Sequence, residues 1–72
     1  METENFIYFF SNNVKKIMRK GNMHKQDFAT KTGISYSMVG AIAEGRTLSI
    51  LSVYKVSRAF NYTIDDLITK LI

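Results

Sequence analysis

The sequence predicts an all-α fold of five helices, and three observations carry that prediction. Apolar residues return at helical spacing in every segment. The segments end at glycine or asparagine and are reopened by hydroxyl residues able to cap the helix that follows. No proline, internal repeat, low-complexity stretch or linker interrupts this rhythm, so residues 1–72 are expected to form one domain.

The first helix is expected from Thr3 to Lys20, with Thr3 as a cap and Glu4 in the first turn, where negative charge suits the dipole. Its apolar stripe is Phe6, Phe10, Val14, Ile17 and Met18, and Gly21 with Asn22 ends it. Ile7, Tyr8 and Phe9 lie off that stripe, which predicts packing on another element or on a protein partner. Lys15, Lys16, Arg19 and Lys20 crowd the last turns, where they either simply favour the dipole or reach phosphate.

Met23 is expected to plug the core, and Lys25 opens a second helix. Phe28 and Ala29 occupy a face that returns at Thr32, before Gly33 offers a position with φ > 0. Ile34 follows as an apolar plug and Ser35 as an N-cap. A third helix then carries Val39, Ile42 and Ala43 inward, leaving Tyr36, Ser37, Gly40, Ala41 and Glu44 facing elsewhere, until Gly45 stops it. Two short helices joined by a glycine turn, here at about 25–45, form the helix-turn-helix unit, whose second helix enters the DNA major groove. Gly40 and Ala41 fit either a groove floor or a close helix packing point.

Ser49 caps a fourth helix whose inward face is expected to be Ile50, Val53, Val56, Ala59 and Phe60, with Tyr54, Lys55 and Arg58 more outward. Asn61 stops it. The run Thr63-Ile64-Asp65-Asp66 has the layout of a capping box and opens a fifth helix over about 64–71. Leu67, Ile68, Leu71 and Ile72 are more apolar surface than one small neighbour can cover, which predicts a homodimer through this helix.

Composition narrows the functions. A 72-residue chain without cysteine, with His24 as its sole histidine, predicts no disulfide, no metal site and no cofactor. Asp65 and Asp66 are helix neighbours that do not face each other, and neither a phosphate-binding glycine loop nor a nucleophile with its base is evident, so no enzyme is expected. Ten Lys and Arg against six acids give a net charge of +4, and seven of the ten precede residue 47, so the positive field is one-sided and suits a polyanion. Glu2 and Glu4 stand before the first apolar run in place of a basic n-region, so no secretion signal is expected, and no run approaches the ~20 apolar residues of a membrane span. A cytoplasmic protein of a bacterium or a phage-infected cell, associated with the nucleoid and not with a membrane, is expected.

The stretch QDFATKTGISYSMVGAIAEGRTLSI resembles the helix-turn-helix domain of the Cro and phage-repressor family, the lambda-repressor-like or XRE type. Phe28-Ala29, Gly33-Ile34-Ser35, Val39, Ile42 and Gly45 match its framework, and with the flanking helices the resemblance covers nearly the whole chain. It implies a lambda-repressor-like fold and a sequence-specific regulator of transcription, a phage or mobile-element repressor or controller that binds a pseudo-palindromic operator as a dimer. Tyr36, Ser37, Met38, Gly40 and Ala41 would then read bases, while Lys25, Gln26, Arg46, Thr47 and Lys20 would contact phosphate. An alternative is the antitoxin of a toxin-antitoxin pair, which binds DNA and a toxin or antirepressor protein, with Ile7, Tyr8 and Phe9 as the protein-binding surface.

Five positions depart from the family pattern. His24 stands where a capping Thr or Ser is common, which predicts a weaker cap, and Leu48 where proline is frequent. Lys25 replaces the usual Gln, exchanging a positioned hydrogen bond for a mobile point charge. Met18 and Ala43 stand where an Arg and a Glu often pair, and losing both partners strands no charge. An apolar contact between Met18 and Ala43 is therefore expected.

Overall fold

The computed structural model describes residues 3–72, with side chains from Asn5 onward, and every regular element among them is helical. The five helices are α1 (Thr3–Lys20), α2 (Lys25–Thr32), α3 (Tyr36–Ala43), α4 (Ile50–Phe60) and α5 (Ile64–Thr69). The cap expected of Thr3 and the charge of Glu4 concern side chains outside the described residues. Extents of 32 × 22 × 20 Å leave room for a single core.

Local chemistry sets the helix boundaries. Gly33 adopts φ 78°, a left-handed conformation that a β-carbon would strain, and its N–H donates to Ala29 O at 2.8 Å. Thr32 braces the same turn: its Oγ1 donates to Phe28 O and accepts from the Ile34 amide at 3.2 Å. The Oγ of Ser35 accepts from the Met38 amide, that of Ser49 from the Ser52 amide, and Thr63 Oγ1 from the Asp66 amide. These bonds satisfy amides that a helix start leaves open. Asp66 departs from the full capping box, since its carboxylate pairs with Lys70 at 3.3 Å. The α2 cap is stronger than His24 suggests, because Asp27 reaches back to accept from the His24 amide at 3.0 Å.

Eight-residue helices such as α2 and α3 do not hold their shape alone, so packing decides their stability. Phe10, Val14 and Ile17 of α1 meet Phe28 and Ala29 of α2, Ile34 of the turn, Val39 and Ile42 of α3, Val53 and Val56 of α4 and Leu67 of α5 in one buried cluster. Phe6 and Met18, expected in the α1 stripe, are half-buried at its margin, as is Met23. Phe60 stacks on Phe28 with ring centroids 5.4 Å apart.

Three expectations are corrected. Ile50 points outward, 66% exposed, and Ser52 takes the inward place. At ~100° per residue Ile50 lies about 120° round the axis from buried Val56, too far to join its face. Leu67 is fully buried. It belongs to the core and is not available to a second subunit. The fifth helix closes at Thr69, short of the expected 71, and residues 70–72 run back along α1.

A buried polar clamp holds that return. Asn13, 1% exposed and set among Phe10, Val14 and Ile17, donates through Nδ2 to Leu67 O and to Lys70 O, each at 2.8 Å. Its Oδ1 accepts from the Ile72 amide at 3.0 Å, so both ends of the amide are satisfied. Lys16 Nζ adds a hydrogen bond to Ile72 O. The C-terminal end of α3 has a tether too: Ser11 Oγ donates to Ala43 O at 2.9 Å. This fixes Ala43 beside Ser11, about two helical turns along α1 from Met18.

Candidate nucleic-acid interface

The outward face of α3 follows from its inward one. Val39 and Ile42 are fully buried, and Met38 packs beside them against the core. The opposite side presents Tyr36, Ser37, Gly40 and Ala41, of which Tyr36 is 56% exposed. Met38 is therefore set apart from the other four residues expected to read bases. It lines a shallow cleft with Gly33, Ile34, Ser35, Leu51 and Ser52.

Gly40 is the unusual member of this face. It lies inside a regular helix, where glycine costs up to about 1 kcal/mol relative to alanine. A β-carbon built on it would meet nothing within 4 Å. The packing explanation for Gly40 within the chain is thereby removed.

Lys25 and Gln26 are exposed in the first turn of α2, with Gln26 Nε2 donating to Thr30 Oγ1 at 3.3 Å. Arg46 follows Gly45, whose φ of 75° turns the chain out of α3, and Thr47 is half-buried behind it. Arg46 is not bare: its Nε donates to Glu44 Oε1 at 2.7 Å. That bond and the Arg46 charge hold the Glu44 carboxyl below its ordinary range, desolvation opposing and Lys25 adding a smaller attraction. Lys25, Glu44 and Arg46 thus form one electrostatic group beside the α3 face. Lys20 stands apart from it on the rim of a cleft with Ile17, Gly21, Met23, Phe60 and Tyr62.

Glu44 is the residue that the sequence pattern undervalues. It is seven positions beyond Ser37 and four beyond Gly40, which places it within about 20° and 40° of them round the helix. The signal was available in that spacing, together with an acid at a helix C-terminus, where the dipole disfavours negative charge.

The two candidate protein-binding surfaces also differ from expectation. Tyr8 is 55% exposed and meets Phe9 edge-on at 5.4 Å, while Ile7 and Phe9 are half-buried. Ile7 and Tyr8 line a cleft with Ser11, Asn12, Glu44 and Gly45. At the other end Leu71 is exposed and Ile68 and Ile72 are half-buried against the core. Among the described residues no cluster of His, Asp or Glu could hold a metal ion, and no helix is long and apolar enough to cross a membrane.

No curated protein and no solved structure gives a significant match to the chain. A family model does: the helix-turn-helix family matches residues 14–67, from the middle of α1 into α5. The match spans the core, the Gly33 turn, the outward face of α3 and the loop that carries Arg46. It is a family of DNA-binding domains that regulate transcription. With a lambda-repressor-like arrangement of five helices around that unit, the chain belongs to the Cro/C1-type helix-turn-helix family.

Proposed function

We propose that this protein is a repressor of the phage or mobile-element kind, which binds a pseudo-palindromic operator as a homodimer and lays α3 in the major groove. The observation that carries this reading is Gly40, a helix-weakening residue on the outward face with no neighbour in its own chain that requires it. Close approach to the groove floor supplies the missing reason. Tyr36 and Ser37 then meet base edges at the helix start, and Ala41 a thymine methyl. Lys25, Gln26, Arg46 and Thr47 hold the backbone on either side and carry no sequence information themselves. The dimer contact falls to Leu71, with the exposed parts of Ile68 and Ile72. Twofold symmetry sets half-site centres about 10 base pairs, or a multiple of a helical turn, apart.

Selection of bound duplexes from a random pool, followed by footprinting, tests the reading. An inverted repeat with that spacing is expected. Gly40→Leu should change which duplexes are selected, whereas Arg46→Ala should weaken all of them alike. A pool without a common motif, or Gly40→Leu selecting the same motif with unchanged affinity, would overturn the proposal.

A further inference from the structure

We infer that Glu44 is an internal substitute for phosphate, a latch that occupies the Arg46 guanidinium in the free protein and restrains sequence-independent binding to polyanions. The inference rests on the DNA-binding reading for its biological sense, but its geometry stands separately. Arg46 Nε and Glu44 Oε1 are 2.7 Å apart, while the two side chains remain 64% and 57% exposed. A phosphate oxygen can therefore reach the same guanidinium by exchange, without any unfolding of the loop. The carboxylate presents the two-oxygen edge that a guanidinium binds in phosphate.

Nothing in the fold demands an acid at this position. Glu44 caps the C-terminal end of α3, where the macrodipole disfavours a carboxylate, and among the described residues its carboxylate bonds only to Arg46 in its own loop. It also stands on the face shared by Ser37 and Gly40, among residues that otherwise suit a polyanion. There it withdraws the Arg46 cation from the attraction to backbone phosphate.

Glu44→Gln keeps the shape of the side chain and removes its charge. For a random-sequence duplex the variant should bind about two- to fivefold more tightly at low salt, the scale of one exposed charge pair. The plot of log affinity against log salt should steepen by about 0.9, one phosphate contact regained. In an Arg46→Gln background the same change should lose its effect, because no guanidinium remains to release. Elution from heparin gives the same comparison without DNA: Glu44→Gln should need more salt, and Glu44→Gln with Arg46→Gln should match Arg46→Gln alone. Unchanged affinity and slope would overturn the latch, and so would an equal gain in the Arg46→Gln background, which would make Glu44 a source of simple repulsion. If the wild type bound no duplex, the DNA reading would fall, and heparin elution would still decide the latch.

Discussion

Besides Tyr36, α2 and α3 turn no large apolar side chain to solvent, whereas α4 and the segment after α5 expose Ile50, Leu51, Tyr54 and Leu71. Both halves draw on the same core, yet they offer opposite surfaces. The first shows small and polar groups flanked by cations. The second shows aliphatic groups close to residues, such as Val53 and Leu67, that are fully buried. A surface prepared for a hydrated polyanion must keep its apolar groups inside, while a surface prepared for protein can leave them out. On the proposed reading, the halves divide their labour by what each withholds from solvent.

The sharpest way to break this comparison is at Leu67 and Leu71, four residues apart and opposite in burial. Leu67→Ala should destabilise the fold by about 2–5 kcal/mol through lost burial and a residual cavity, whatever the protein concentration. Leu71→Glu should leave monomer stability nearly unchanged and shift sedimentation toward monomer. Equal thermal effects at the two positions would erase the distinction between the core face of α5 and the exposed segment that follows it. Next in size is Asn13→Ala, which strips partners from Leu67 O, Lys70 O and the Ile72 amide; a loss of about 2–3 kcal/mol in urea unfolding is expected. A loss under about 0.5 kcal/mol would mean that water replaces the clamp.

Capping gives a smaller contrast between the halves. Ser35→Ala and Ser49→Ala should each cost about 1 kcal/mol. Only the first should also weaken DNA binding, since Ser35 fixes the start of α3. The smallest effect has the opposite sign: Gly40→Ala should stabilise the fold by about 0.5–1 kcal/mol, because the added methyl meets open space and the helix gains propensity. Its affinity for operator DNA should fall as stability rises. A variant that gained stability and kept full affinity would remove the groove-floor explanation of Gly40.

What could be read from the residues alone was whatever neighbours decide. Gly33, Ser35, Ser49, Asn61 and Thr63 mark ends and starts through bonds that span three or four residues, and each stands where its chemistry placed it. Ile50 could not be read the same way, because the face of α4 turns on whether a small hydroxyl, Ser52, is admitted to the interior. Leu67 looked surplus because α5 was counted without the groove that α1 and α4 make for it. Asn13 was hidden by its type: an amide among Phe10, Val14 and Ile17 reads as a break in a stripe, and its partners lie more than fifty residues away. At the interface, the outward set on α3 was legible from helical spacing. The Glu44 to Arg46 bond was not, since it depends on the turn that Gly45 makes.

The Asn13 clamp also has a temporal meaning. Its bonds join positions separated by 54, 57 and 59 residues, and α1 packs more extensively on α5 than on any other helix. During synthesis, α1 leaves the ribosome with its principal neighbour still unmade. At about 5–20 residues per second, it waits several seconds for residue 72 to emerge. In that interval Phe10, Val14 and Ile17 are sheltered by the helix-turn-helix unit and α4 but not by α5, so nascent chains stalled before residue 67 should stay sensitive to protease within α1. Those stalled with residue 72 well clear of the exit tunnel should become resistant in one step.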